Sequence, residues 1–340
     1  MRSIVCTRPG LMEHDDRETP VCGAGEALLR IRRIGICGTD IHAFGGNQPY
    51  FAYPRVLGHE LAGEVVQVGD SHNQALVGQN ASVIPYLHCG ECRACQRGLT
   101  NCCQRIKVIG VHRDGGMCDM LVVPVDHLML SHTLSLDQLA LMECLAIGAH
   151  AVRRSALAQG EWAVVVGAGP IGIGVAQFAR ECGARVVVVD TNEQRLAFCR
   201  ETLHVDHTLN PLQHDTLAQL ETLSDDALAD AVFDATGNPE AMQQGFDLVG
   251  QAGRYVLVSI VKADITFHDP DFHRKEMTLL SSRNATREDF TWVSTLMEAG
   301  RLQDTAMITH REELDAVPER MSAWCDPATG VIKAMIHLNH

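Results

Sequence analysis

One stretch near the middle of the chain limits its possible folds more than any other. Trp162-Ala163-Val164-Val165-Val166 is an apolar run of strand length, and Gly167-Ala168-Gly169-Pro170-Ile171-Gly172 follows it as a G-x-G-x-x-G turn. A helix-like stretch then reaches Cys182, and Val186-Val187-Val188-Val189-Asp190 is a second buried run. Unbroken valine runs mark strands covered on both faces, and two of them joined by a helix form a parallel unit. Glycines at such a turn let the backbone approach an anion at the helix N-terminus, which suits a pyrophosphate. Asp190 closes the second strand 18 residues after Gly172, where a carboxylate can accept ribose hydroxyls. The six-residue pattern is weak alone, and a plain glycine turn is the competing reading. Its place between strand and helix, with Asp190 beyond, favours a dinucleotide.

The same alternation continues through Ala231-Val232-Phe233-Asp234 and Tyr255-Val256-Leu257-Val258, with helical segments near 193–203 and 239–249. This predicts a doubly wound α/β domain of parallel strands. Thr236, just beyond one strand end, and Val258, at another, are expected beside the cofactor. Asp190 is followed by Thr191 and Asn192 rather than by arginine, so NAD is preferred over NADP, while Arg195 is either a neighbour of the adenine ribose or an exposed helix residue. Before about residue 145 the pattern differs. Residues 26–36 and 61–69 alternate apolar with small or polar residues, as antiparallel strands do, and helical periodicity is scarce. After Arg283 an amphipathic helix over 287–299 and short strands are expected, forming a tail that returns to the first domain.

With 340 residues, 46% of them hydrophobic, the chain is too long for one ordinary domain. We expect domains at 1–147, 148–284 and 285–340, the last rejoining the first. A net charge of −14 spread over the chain disfavours a nucleic-acid partner. No run reaches the roughly 20 apolar residues of a membrane span, and Arg8, Pro9 and Gly10 interrupt any signal-like start, so a cytoplasmic protein is expected.

Thirteen cysteines, four of them crowded between Cys89 and Cys103, point in that compartment to metal rather than disulfides. Cys89-x-x-Cys92-x-x-Cys95, followed after seven residues by Cys103, offers four thiolates on one loop, the donor set of a structural zinc. Cys102 competes for the fourth position, and the interval favours Cys103. A second, dispersed set comprises Cys37, in Gly35-Ile36-Cys37-Gly38-Thr39-Asp40-Ile41-His42, and His59 and Glu60, in Gly58-His59-Glu60. Thiolate, imidazole and carboxylate make the open three-ligand shell of a catalytic zinc. Glu143, an acid inside an apolar stretch, needs a partner if buried, and zinc, directly or through water, would serve. Asp40 reads as an acceptor for the other ring nitrogen of a ligand histidine. Two zinc ions per chain are expected.

These segments, in this order, resemble the zinc-containing medium-chain dehydrogenases of the polyol and sugar-acid branch, over nearly the whole chain. The resemblance implies a β-rich GroES-like catalytic domain built from both ends of the sequence, a central Rossmann domain that binds NAD, and an active-site cleft between them. It implies zinc on Cys37 and His59, with Glu60 or Glu143 completing the shell, and Thr39 and His42 relaying the proton of a secondary alcohol. Where the branch usually has proline after the second glutamate, this chain has Cys144. Gly45-Gly46-Asn47-Gln48-Pro49, Gly110-Val111-His112-Arg113-Asp114-Gly115-Gly116 and Ser282-Arg283-Asn284-Ala285-Thr286 resemble enzymes of hexonate breakdown. They imply oxidation at C5 of a hexonate such as L-gulonate or L-galactonate to fructuronate or tagaturonate. Arg283 is the first candidate to hold the carboxylate, with Asn284, Asn47 and His112 behind it. A homodimer or homotetramer is implied. A neutral-polyol or L-threonine dehydrogenase and a zinc protein that senses NAD without turnover are the alternatives.

Overall fold

The computed structural model describes residues 1–48 and 51–339, so Pro49 of the 45–49 segment lies outside the described residues. Contacts divide the chain into two compact units, Met1–Cys144 with Thr286–His340, and Leu145–Ala285. The boundaries expected from the sequence were 147/148 and 284/285.

In the second unit six strands lie parallel in the order His207–Leu209, Arg185–Val189, Trp162–Val166, Ala229–Asp234, Val249–Leu257, Thr278–Ser281. Chain order runs outward in both directions from Trp162–Val166, which makes the gap between it and Ala229–Asp234 the switch point where open α/β sheets bind ligands. Val164, Val187, Val232 and Tyr255 are fully buried in the core, as the unbroken apolar runs require. At the start of helix Pro170–Glu181 the turn is closed tightly: a Cβ on Gly172 would stand 1.7 Å from the Gly167 carbonyl oxygen.

The first unit is built on a seven-stranded sheet running Leu128–Leu130, Asn80–Val83, Glu60–Val68, Glu26–Gly35, Lys333–His337, Ile308–Glu313, with Met120–Pro124 paired to Glu26–Gly35 off that path. The C-terminal strand therefore lies directly against an N-terminal one, with Met335 opposite Gly35. Glu60 is opposite Gly35 on its other side. No helix of the described residues is long and apolar enough to cross a membrane.

Three elements differ from the sequence-based expectation. The 20-residue helix Leu136–Ser155 begins where little helical pattern was read. From Leu139 to His150 every residue but Ile147 is buried, and a helix covered all round lacks the polar face that produces a 3.6-residue period. The helix expected over 239–249 is only Pro239–Gln244, because Val249 already begins a strand. A further helix, Val317–Trp324, packs into the tail.

Candidate metal centres and dinucleotide turn

The Cys89–Cys103 loop is folded by two short turns, the helix Arg93–Gln96 and the 3-10 turn Thr100–Cys102. Sulfur separations are 4.0 Å for Cys89 and Cys95, 3.5 Å for Cys92 and Cys95, and 3.5 Å for Cys103 and Cys89. Tetrahedral zinc with bonds of about 2.3 Å places its sulfurs about 3.8 Å apart, so this spacing fits the ion. Backbone N–H groups point at the sulfurs: Cys89 N and Arg105 N each donate to Cys103 Sγ at 3.3 Å, and Cys92 N donates to Cys89 Sγ at 3.4 Å. The Cys92 N–H, followed by Arg105, holds the Cys89 thiol down at about 5, favouring the thiolate that metals bind. Cys103 is buried within the set, whereas Cys102 is exposed and outside it.

Ligand atoms of Cys37, His59 and Glu60 also lie within 4.8 Å of one another. Cys37 caps helix Gly38–Phe44, and its N–H donates to Asp40 Oδ2 at 2.9 Å in the first turn, where a carboxylate satisfies an orphan donor. Asp40 Oδ1 accepts from Gly58 N at 3.1 Å, tying this helix to the residue before His59. Gly58 adopts φ +91°, and a Cβ there would crowd Ile34 and Met117. The reading of Asp40 as acceptor for the histidine needs correction. His59 Nδ1 stands 3.9 Å from Asp40 Oδ1, outside hydrogen-bond range, because the backbone N–H groups of Cys37 and Gly58 hold the carboxylate in place short of the ring.

Two partners of the glutamates escaped the sequence reading. The Tyr86 hydroxyl donates to Glu143 Oε1, and Glu143 lies outside the 4.8 Å set. Lys333 Nζ donates to both Oε1 and Oε2 of Glu60 at 2.7 Å, and to the Ile36 carbonyl at 3.1 Å. A lysine inside the apolar tail Val331-Ile332-Lys333-Ala334-Met335-Ile336 was the available signal, by the argument applied to Glu143. Tyr86 carried none.

The chemistry of this cluster fits a divalent cation. Burial raises the Asp40 and Glu143 carboxyls above the usual carboxylate range. Burial alone would lower His59, but Cys37, Asp40 and Glu143 outweigh it and raise the imidazole well above its ordinary value. Three buried carboxylates thus share their surroundings with one buried ammonium. His59 Nδ1 is buried with no hydrogen-bond partner among the described residues, and a metal supplies both the missing charge and a partner for a ring nitrogen.

Thr39 and His42 lie three residues apart on helix Gly38–Phe44 and so share a face, Thr39 half-buried and His42 exposed. In the second unit Gly167 has φ +99°, and a Cβ on it would sit 3.0 Å from Ala235 C, across the switch point. Gly169 differs: it caps the helix before Pro170, and a Cβ there would meet nothing nearer than Arg195 Nη1 at 3.9 Å. A glycine in open space, with no φ requirement, suits close approach of a ligand. Ile171 is half-buried in the first helical turn. Asp190 Oδ2 accepts from Ala168 N at 2.6 Å and Oδ1 from Asn192 N at 2.7 Å, so the carboxylate braces the turn and keeps further lone pairs for hydroxyls. At the neighbouring strand ends Thr236 Oγ1 donates to Asp234 at 3.0 Å, Ser259 Oγ donates to it at 2.7 Å, and Val258 N donates to the Asp234 carbonyl at 2.9 Å. Ser259 is a member of this network that the sequence did not single out.

The substrate candidates fall in both units, Asn47 and His112 in the first and Arg283 and Asn284 in the second. Arg283 is exposed and follows strand Thr278–Ser281, while Asn284 adopts φ +54°, a conformation asparagine tolerates. Asn47 is exposed, with its N–H on the His42 carbonyl at 2.8 Å. His112 Nδ1 accepts from Val108 N at 3.1 Å, and the residue lines a depression with Arg17, Arg55 and Asp114 that contains none of the zinc donors.

Comparison with known proteins gives both halves of this architecture. Residues 23–133 match the alcohol dehydrogenase GroES-like domain and residues 170–299 the zinc-binding dehydrogenase family. The chain is 47% identical to L-galactonate-5-dehydrogenase of Escherichia coli (strain K12), over 92% of this chain and 91% of that protein. It is 36% identical to 2-dehydro-3-deoxy-L-galactonate 5-dehydrogenase of Pseudoalteromonas atlantica (strain T6c), over 82% of each. A crystal structure of the rspB alcohol dehydrogenase from E. coli CFT073, complexed with NADH, superposes with a TM-score of 0.93 at 27% identity, covering 99% of both chains. With a GroES-like half and a zinc-binding half matched along one polypeptide, the chain belongs to the zinc-binding alcohol dehydrogenase family.

Proposed function

We propose that this dehydrogenase oxidises the C5 secondary alcohol of a six-carbon aldonate, L-gulonate or L-galactonate, to the keto acid fructuronate or tagaturonate, with NAD as the acceptor. The observation that carries this reading is the 47% identity, over 92% of the chain, to a protein named for oxidation at that carbon. Cys37 and His59, with Glu60 or Glu143, would hold zinc, whose Lewis acidity would lower the pKa of the substrate hydroxyl. Thr39 takes the hydroxyl proton as it gives up its own, which passes through the cofactor ribose to His42 and, because His42 is exposed, on to water. NAD bound beside the substrate would supply C4 of its nicotinamide as the acceptor of the C5 hydride. Gly167, Gly169, Pro170, Ile171 and Gly172 cradle the pyrophosphate, Asp190 takes the adenosine ribose hydroxyls and repels a 2′-phosphate, Arg195 flanks that ribose, and Thr236 and Val258 line the nicotinamide ribose. Arg283 holds the substrate carboxylate, and Asn284, Asn47 and His112 contact it or the hydroxyls. Cys89, Cys92, Cys95 and Cys103 hold a second zinc that stabilises the fold.

We place the enzyme in the cytoplasm as a homodimer or homotetramer. Among the described residues Thr278–Ser281 is paired on one side only, and Leu279 on it is 40% exposed, an edge suited to a second copy. The test is NADH formation across stereoisomeric hexonates, with sorbitol and L-threonine in the same panel and light scattering for the assembly. Faster turnover of sorbitol or threonine than of any hexonate overturns the substrate. Tight NADH binding with no turnover of anything favours a sensor.

A further inference from the structure

A lysine with 1% of its surface exposed must find acceptors for all three of its N–H groups. Lys333 finds them on Glu60 Oε1, Glu60 Oε2 and the Ile36 carbonyl, the peptide immediately before Cys37. Sheet register makes this meeting unavoidable. Gly35 is opposite Glu60 on one side and Met335 on the other, and Lys333 lies two residues before Met335 on the same strand. A Cβ at Gly35 would stand 2.1 Å from Glu60 Oε2, so the carboxylate occupies the space a side chain would fill. Glu60 is therefore caught between the ammonium and the cluster it forms with Cys37 and His59.

We infer that Lys333 is a positioning residue of the catalytic metal centre. By holding both oxygens of Glu60 it limits how much of that carboxylate the metal receives, which keeps a coordination position open for substrate. A carboxylate between two cations divides its charge between them. Deprived of the ammonium, a buried Glu60 turns to the metal, the one cation left within reach, and a metal with a full carboxylate ligand is a weaker Lewis acid with one position fewer. The inference rests on the reading of Cys37, His59 and Glu60 as a catalytic metal site.

The experiment uses holoenzyme with cobalt(II) in place of zinc, whose visible absorption reports the donor set. Lys333→Met is expected to alter that spectrum, to slow metal release to a chelator, and to lower kcat by about 10- to 100-fold while the Kd for NADH stays unchanged. Lys333→Arg, which keeps the charge, should restore most of the native spectrum. If Lys333 works through Glu60, adding Lys333→Met to Glu60→Gln changes the spectrum no further. This double variant removes both charges together, so it remains usable if the single methionine variant fails to fold. A native spectrum and native release rate in folded Lys333→Met, or a further spectral change in the Glu60→Gln background, overturns the role of the lysine. Wild-type protein that takes up cobalt only at the four-cysteine loop overturns the metal-site reading, and the inference with it.

Discussion

The two glycines that open helix Pro170–Glu181 separate a cofactor requirement from a folding requirement. At Gly172 an added methyl would lie 1.7 Å from a backbone oxygen, and no flexible side chain is there to yield. Gly172→Ala must therefore spread the turn, at the 1–3 kcal/mol or more that overpacking typically costs, about. At Gly169 the same methyl enters open space, with the nearest atom the far end of Arg195 at 3.9 Å. Its cost to the fold is confined to the poorer capping of alanine, about 1 kcal/mol. In the NAD complex, however, that methyl stands where the pyrophosphate is expected. An overpacking cost of about 1–3 kcal/mol then appears as a Kd for NADH raised roughly 5- to 150-fold. Fluorescence titration with NADH, paired with thermal unfolding of the apoprotein, reads both quantities. Gly169→Ala should bind weakly while remaining nearly as stable as wild type, and Gly172→Ala should lose stability as well as binding. Native NADH affinity in Gly169→Ala would remove this turn from the cofactor site, whatever happens at Gly172.

Asp190→Ala should weaken NAD binding and narrow the preference over NADP, read as the ratio of kcat/KM for the two cofactors; an unchanged ratio leaves Asp190 only its role of bracing Ala168 and Asn192. Cys92→Ser should cost one zinc per chain and lower the unfolding temperature, whereas Cys37→Ser should abolish turnover with the fold intact, as metal analysis and circular dichroism would report. If both variants only lose stability and keep their activity per folded molecule, the catalytic assignment fails. Arg283→Ala should reduce kcat/KM for the hexonate by about 30- to 150-fold, the equivalent of about 2–3 kcal/mol for a charge-assisted pair, and affect a neutral polyol much less. Equal losses on both substrates would assign Arg283 to the fold or the cofactor.

Features written in local spacing were legible in the sequence. The four cysteines with their interval of three lie close along the chain, so that short-range geometry brings their atoms together, and the glycine turn and its Asp190 belong to one strand–helix–strand unit whose two strands pair directly. The cluster of Cys37, His59 and Glu60 was legible as a donor set because thiolate, imidazole and carboxylate are metal chemistry wherever they converge. What surrounds those donors was settled by tertiary structure. Lys333 reaches Glu60 across 273 residues because the last strand is laid beside Glu26–Gly35, and no local pattern specifies that pairing. Tyr86 meets Glu143 across 57 residues for the same kind of reason. Helix Leu136–Ser155, on which Glu143 lies, was hidden by its own burial, since periodicity reports a contrast between two faces and this helix has none. Sequence alone thus determined which chemistry this protein carries. The long-range register of its sheets decided which charges face one another inside it, because strand pairing is fixed by the sum of many distant contacts and not by any one segment.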